Sequence, residues 1–391
     1  MSQQLINHNP DLKRLRDEGY EIEVRGGHLL VHHIPYVGSS KDIQYGALVS
    51  TLTLKNGTTI GAPDNHVIHF IGDNPCEIDG TIITAIQHDN STKNLAGIVV
   101  NRSFSNKPMQ GYPNYYEKIK RYADIISAPA KYLNNCVTEK TFKVISDSMN
   151  ETVFQYIDTN SSRANIDFIN SKLEGQKIAI IGLGGTGAYI LDLVAKTPVT
   201  AIHLFDGDDF DQHNAFRSPG AASIDDLNKN HLKAEYLSDI YSKMHKHIIS
   251  HNYYVLKGNI QELDEMSFVF ICIDKNSVRN MIANYLVRIG IPYIDVGLGV
   301  ETVEDKLRGA VRVTTVTKTK NEHLPNRIFA EDDENNDYVT NVQIAELNSL
   351  NACMAVIKWK KLNGFYIDQE NEHHSVYTIG ISKIINDDFT T

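Results

Sequence analysis

The sequence predicts two domains, a β-rich α+β domain over residues 1–150 and an α/β domain with a mostly parallel sheet over residues 151–391. Three observations carry this reading. Short runs rich in β-branched residues, separated by Gly, Pro, Asn and Asp, fill the early part of the chain. Later, continuous apolar runs alternate with longer amphipathic stretches, which is the βαβ pattern of a parallel sheet. One of those apolar runs passes directly into a GxGxxG turn. A chain of 391 residues is long enough for both domains to bury a core of their own.

In the first domain the strand-like pattern extends from Tyr20 to about Val100. Arg25-Gly26-Gly27-His28 separates two runs as a hairpin turn that needs positive φ, and Asn56-Gly57 marks a second hairpin. The segments His66–Ile71 and Thr81–Ile86 read as further short strands. Apolar residues at helical spacing from Asn114 to Ser127 predict a helix that closes the domain. Polar segments at Asn134–Thr141 and Asp158–Asn165 then lead into the second texture, and the acidic run Glu331–Asp337 reads as a solvated loop.

Composition excludes several classes. A formal net charge of -10 leaves no basic excess for phosphates along a nucleic acid. The four cysteines, Cys76, Cys136, Cys272 and Cys353, are far apart and form no CxxC pair, so neither a disulfide framework nor a zinc ribbon is expected. No apolar run reaches the length of a signal peptide core or a membrane span. A soluble cytoplasmic protein, with no nucleic-acid or membrane partner, is the expectation.

The glycine turn sets the chemistry. Lys177–Ile181 is a short apolar strand that feeds Gly182-Leu183-Gly184-Gly185-Thr186-Gly187 and then a helix rich in Ala and Leu. In this context the glycines Gly182, Gly184, Gly185 and Gly187 allow a tight turn, close approach to phosphate and close helix packing. The helix N-terminus offers unpaired N–H groups to an anion. A second strand, Ala201–Phe205, ends at Asp206, where an acidic side chain accepts hydrogen bonds from ribose hydroxyls. Up to this point NAD and ATP fit equally. Beyond Asp206 comes a dense polar cluster, with Asp208, Asn214 and Arg217, and then Lys233 on a predicted helix. A dinucleotide site has no need of it, whereas an arginine fork and a lysine suit a triphosphate. A third strand, Phe268–Ile273, runs into Asp274, with Arg279 on the helix that follows. Asp274 reads as a magnesium anchor or, alternatively, as a helix cap.

These motifs, in this order, resemble the ThiF/MoeB family of adenylating enzymes, related to ubiquitin-activating enzymes, over about Ser161 to Val313. The resemblance implies a Rossmann-like adenylation domain, ribose binding by Asp206, and phosphate contacts from Asn214, Arg217 and Lys233. It further implies the paired carboxylate Asp208 beside Asp206, magnesium at Asp274, and an arginine reaching the ATP phosphates at Arg163, which relatives often supply from a partner subunit. Arg163, Arg217, Lys233 and Asp274 are thus the expected catalytic residues. The implied reaction is ATP-dependent adenylation of the C-terminal glycine carboxylate of a ubiquitin-like or sulfur-carrier protein, by a homodimer, in a pathway that includes a downstream conjugating partner. An NAD-dependent oxidoreductase and a non-catalytic nucleotide-binding scaffold are the alternatives.

The chain departs from many relatives in lacking the zinc-binding CxxC pairs and any cysteine between Asp295 and Asn351 for a thioester. Cys272 and Cys353 read as inert core residues. Cys76, in an expected loop with acidic neighbours that raise its pKa, is the least improbable nucleophile. His66 and His69 on one strand point to opposite faces, and His245, His247 and His251 read as surface residues on or near a polar helix, so no metal cluster is expected. His373 and His374 have no ligand partner at a recognisable spacing. The first 130 residues resemble an uncharacterised domain that precedes ThiF-like domains in bacterial proteins, for which recruitment of the substrate or the next carrier is the expected role.

Overall fold

The computed structural model describes residues 2–56, 59–144, 152–164, 166–324 and 342–386. The acidic run at 331–337, the turn residue Gly57 and the expected domain boundary at 150–151 lie outside the described residues. Chain contacts divide the protein into two units, one of residues 1–145 with 158–165 and one of 146–157 with 166–391.

The first unit contains α1 (Ser2–His8), α2 (Pro10–Asp17), β1 (Ile22–Arg25), β2 (His28–Val37), β3 (Ile43–Thr51), β4 (Leu54–Asn56) and β5 (Thr59–Ile60). There follow β6 (Val67–Ile71), β7 (Gln87–Asp89), β8 (Lys93–Leu95), β9 (Ile98–Val100), β10 (Arg102–Ser105), α3 (Tyr115–Leu133) and α4 (Thr159–Ala164). Six strands form one antiparallel sheet in the order β1-β2-β3-β6-β10-β7. The first hairpin turns at Gly26 and Gly27, whose φ of 55° and 75° explain why both are glycine. Leu29, Val31, Ile34 and Leu48 from the sheet pack against Ile119, Tyr122 and Ile126 of α3. Asn114 caps that helix by accepting the Glu117 N–H at 2.9 Å. The helix runs past the expected end at Ser127 to Leu133, with Pro129 buried inside it. The expected strand Thr81–Ile86 is instead a local turn: Asp79 accepts the Thr81 N–H at 2.9 Å, and Thr84–Ile86 is a short 3-10 helix.

The second unit contains α5 (Asp167–Asn170), β11 (Lys177–Ile181), α6 (Gly185–Val194), β12 (Ala201–Phe205), α7 (Gln212–Ala215), α8 (Ile224–Leu227) and α9 (Lys233–Tyr241). It continues with β13 (Ile248–His251), β14 (Phe268–Ile271), α10 (Asn276–Ile289), β15 (Tyr293–Val303), β16 (Lys306–Val316), α11 (Ala345–Leu362), β17 (His374–Thr378) and β18 (Lys383–Asn386). Its 8-stranded sheet has the order β13-β12-β11-β14-β15-β16-β17-β18. The strands from β13 to β15 in that order are parallel, and β16, β17 and β18 are added antiparallel. Largely buried, β11, β12 and β14 are apolar apart from the partly buried Lys177 and His203, as a covered parallel sheet requires. One face packs on α6 and α11 around the fully buried Trp359. The other packs on α10 through Ile282, Ala283 and Leu286. His245 corrects the sequence reading, being fully buried just past α9, with Nε2 2.9 Å from the Val199 carbonyl oxygen.

The first unit also buries a cation. Lys118 of α3 donates to Ser50 Oγ at 3.0 Å and to the Asn65 carbonyl at 3.1 Å, and burial pushes its pKa from 10.5 down to about 8. Below pH 8 the amine is charged whether the chain is folded or not, so the full desolvation cost opposes folding. Between pH 8 and 10.5 the folded chain sheds the proton first, and above that range both states are neutral. The stability of this unit should therefore rise through that window, relative to Lys118→Met, by on the order of 3 kcal/mol. Urea unfolding of the two proteins at a series of pH values checks this, and a constant difference between them would contradict it.

Candidate active site

Ile181 of β11 is in register with Phe205 of β12 on one side and Ile271 of β14 on the other. The three strands end level, so Gly182, Asp206 and Cys272 leave the sheet at the same edge. The connections from β11 and β14 diverge there, which opens the crevice in which open α/β sheets bind ligands. A cavity of about 1100 Å³ occupies it.

The glycines of the turn differ in what they do. Gly182 has a φ of 88°, and a Cβ on Gly187 would fall 1.9 Å from the Gly182 carbonyl oxygen. Those two positions need glycine for the turn itself. At Gly185 a Cβ would meet Asn348 Nδ2 of α11 at 2.0 Å, so this glycine lets α11 lie against the turn. Gly184 has an ordinary negative φ and nothing within 4 Å of a built Cβ. It lines the cavity, and the space its missing side chain leaves is free for a ligand. No side chain caps α6, so the amides of its first turn remain available to an anion.

Asp206 is 5 % exposed, and both of its oxygens are engaged by backbone. Oδ2 accepts the Leu183 N–H at 2.6 Å and Oδ1 accepts the Asp208 N–H at 2.9 Å. Burial raises the pKa of this carboxyl, against the pull of the Leu183 N–H and of the nearby Lys233 ammonium. Asp208 is more open: Lys233 Nζ lies 2.7 Å from its Oδ2, and the Tyr254 hydroxyl donates to its Oδ1. Burial alone would raise its pKa, but these two donors hold it below the ordinary carboxylate value. Arg217 is half-buried, with its pKa pushed down by burial against the pull of Asp274 and Asp208. Its Nε has no partner among the described residues.

Asp206, Asp208, Arg217, Lys233 and Asp274 all line the cavity together with Gly182, Gly184 and Gly185. Gly187 stands behind them in the turn. Asn214 is 1 % exposed and lies within α7, its Oδ1 accepting the N–H of the N-cap residue Asp211 at 2.9 Å, while its Nδ2 has no partner among the described residues. Arg217 Nε, at the cavity, is thus unsatisfied by protein and suits a ligand oxygen, whereas Asn214 is not among the residues that line the cavity. Asp274 is exposed and precedes Lys275, the N-cap residue of α10, so it is not the cap of that helix. No group of three His, Cys, Asp or Glu side chains among the described residues is arranged to hold a metal. A single oxygen ligand fits magnesium, which takes few protein ligands beside substrate phosphates. Arg163 belongs to the first unit, at the end of α4.

Sequence reasoning named Arg279 but missed the second layer it forms with Asp295 and Arg312. Arg279 is 9 % exposed and ties the cavity floor together: Nη2 donates to the Ile273 carbonyl and, at 3.3 Å, to the Val296 carbonyl, while Nε faces Asp295 Oδ1 as an ion pair at 2.9 Å without a well-directed hydrogen bond. Arg312 of β16 meets the other oxygen of Asp295 at 2.6 Å. An aspartate inside an apolar strand and an arginine inside its antiparallel neighbour were the available signals.

Neither Cys76 nor Cys272 offers an activated thiol. Cys76 is fully buried, with its N–H bonded to the Val37 carbonyl, and burial together with Asp79 and Glu77 raises its pKa. The Cys272 thiol is also raised by burial, although the residue lines the cavity. Cys136 is the exposed one of the four.

The motifs gathered on this cavity agree with the comparison to known families, in which the ThiF family model matches residues 161–379. The chain belongs to the ThiF family. A domain of unknown function (DUF6791) matches residues 10–159. Comparison with curated proteins finds no match. Similar solved structures include E. coli MccB with MccA-N7isoASN, 18 % identical, covering 77 % of this chain and 95 % of that one at a TM-score of 0.49. Another is E. coli MccB with ATP, 17 % identical over 71 % of this chain and 82 % of that one, TM-score 0.48. A third is PaaA, 16 % identical over 70 % and 86 %, TM-score 0.48. Membership of the ThiF family supports ATP-dependent adenylation of a substrate. No helix among the described residues is long and apolar enough to cross a membrane.

The glycine geometry separates two roles. Gly187→Ala should lower stability by roughly 2 kcal/mol or more through its backbone clash, whereas Gly184→Ala should leave the unfolding midpoint unchanged. Both should weaken ATP binding measured by titration calorimetry. Unchanged ATP affinity in Gly184→Ala would show that the open space beside it is not a ligand position.

Proposed function

We propose that the second unit adenylates the C-terminal glycine carboxylate of a small ubiquitin-like or sulfur-carrier protein, using MgATP. The observation that carries this reading is the convergence of Asp206, Asp208, Arg217, Lys233 and Asp274 with the glycine turn on one cavity. In the proposed roles, the α6 amides and Gly184 receive phosphate, Asp206 and Asp208 flank the ribose, and Arg217, Lys233 and Asn214 hold phosphate oxygens. Arg163, supplied within a homodimer, adds a further cation. Magnesium, when bound at Asp274, would neutralise charge on the phosphates.

The substrate carboxylate attacks the α-phosphorus in line, the bond to the bridging oxygen of the β-phosphate breaks, and pyrophosphate leaves with that electron pair. A carboxylate is ionised near neutral pH, so no general base is needed, and the protein contributes position and charge. Arg217 and Lys233 support this over hydride transfer, because a nicotinamide site has no use for cations placed there. A bacterial ubiquitin-like conjugation pathway in the cytoplasm, with a downstream conjugating partner, suits the large extra domain and the absence of CxxC pairs. On this reading the first unit recruits the carrier or the next protein.

The test is ATP–pyrophosphate exchange dependent on a small protein ending in glycine. Asp274→Ala and Lys233→Ala should each reduce exchange on the order of 10²-fold or more while leaving the circular dichroism spectrum unchanged. Full exchange in Asp274→Ala would remove its proposed role, and nicotinamide turnover by the unaltered protein would replace adenylation with redox chemistry.

A further inference from the structure

The sheet order lays the cavity out along one axis. Val255 and Leu256, which follow β13, and Asp206, which follows β12, line one end, and the glycine turn after β11 lies between. Beyond β14, the far end is lined by Gly297, Gly299, Ala310 and Arg312 of β15 and β16. Three strand spacings separate β16 from β11, roughly 14 Å. This end therefore lies past the turn that receives phosphate.

Two side chains meet there at Gly297. The Arg312 guanidinium lies across this glycine, where a Cβ would fall 2.8 Å from Nη2. Arg312 and Arg279 share the single carboxylate of Asp295, which is 1 % exposed, so the trio keeps one positive charge at the cavity wall. On the other side, Asn351 of α11 is fully buried and its Nδ2 donates to the Gly297 carbonyl at 3.0 Å. That bond fixes which way the amide points. Asn351 Oδ1 is left buried at the cavity with no partner among the described residues. A buried acceptor in this state calls for a donor from a ligand.

We infer that this end of the cavity seats the acyl substrate, and that Arg312 and Asn351 are its specificity-determining residues. The inference rests on the adenylation reading and extends it. Arg312 takes the carboxylate, later the acyl carbonyl oxygen, and Asn351 Oδ1 accepts the main-chain N–H of the residue bearing that carboxylate. The glycine and alanine lining leaves room for extended main chain with a small last residue. A peptide-type carboxylate satisfies both groups, whereas a fatty acid would pair with Arg312 and leave Asn351 unsatisfied.

The probes are 5′-O-sulfamoyladenosine, its N-acetylglycyl derivative, and its levulinoyl derivative, in which a methylene replaces the glycyl N–H. The unaltered protein should bind the acetylglycyl compound roughly tenfold or more tightly than the levulinoyl one, as expected when a buried acceptor loses its donor. Asn351→Leu should bring the two within about twofold of each other, and Asn351→Asp, which keeps the acceptor oxygen, should retain the preference. Arg312→Gln should weaken both acyl compounds about equally and leave 5′-O-sulfamoyladenosine unchanged. Equal affinity of the two acyl compounds for the unaltered protein overturns the inference whether or not the variants fold, and so does an undiminished preference in Asn351→Leu. Failure of the unaltered protein to bind either ATP or 5′-O-sulfamoyladenosine would overturn the nucleotide site itself, which is a separate result.

Discussion

The buried carboxylate of Asp206 is the fixed point on which the site depends. It joins the turn after β11 to the loop after β12 by accepting the Leu183 N–H at 2.6 Å and the Asp208 N–H at 2.9 Å. One side chain thereby sets both the path of the glycine turn and the position of the next aspartate. Ionised, it can accept both donors at once, and losing it would leave two N–H groups without partners in a poorly solvated place. Gly182 and Gly187 make the tight turn sterically possible, and Asp206 makes it the one conformation that satisfies these amides. Asp208 is then held where Lys233 and Tyr254 can reach it.

From that point outward the charges fall into two layers. Near the glycine turn, Lys233 is committed to Asp208, while Arg217 stands between Asp208 and Asp274 with its Nε unpartnered among the described residues. A guanidinium whose burial already costs solvation, and which lacks a dedicated carboxylate, gains most from an incoming anion. Beneath the turn, Arg279 is locked by the Ile273 and Val296 carbonyls and by Asp295, and so holds the segment that carries Asp274. The same type of residue is thus left with an open donor in one layer and serves as a strut in the other, depending on whether backbone carbonyls occupy its donors.

How much of this was legible in the sequence follows from the same distinction. That the glycine turn, Asp206 and Asp274 come together at one sheet edge was legible because short segments with strong local constraints, a strand end followed by a glycine turn or by a carboxylate, fix their own surroundings. The parallel sheet followed from the mostly apolar runs of β11, β12 and β14. Asp295, Arg312 and Asn351 could not be placed, since their meeting depends on the pairing of β15 with β16 and on how α11 lies over them. His245 was misread for a related reason: a polar stretch suggested an exposed helix, but the chain leaves α9 at Tyr241 and turns His245 inward to the Val199 carbonyl. The helix expected to close the first domain at Ser127 continues to Leu133 with Pro129 inside it, a length set by packing against the sheet rather than by the local spacing.

The same electrostatics bears on what can follow adenylation. An acyl adenylate is consumed by a nucleophile, and a thiol serves best when cationic surroundings lower its pKa. The cavity does contain a thiol, Cys272, but burial raises its pKa, with Asp295 adding in the same direction and Arg279 only partly opposing them. Arg279 cannot do more, because its charge is already shared with Asp295. Cys76 is fully buried, and burial together with the charges of Asp79 and Glu77 raises its pKa. The surroundings of Cys76 and Cys272 thus raise both thiols rather than activate them.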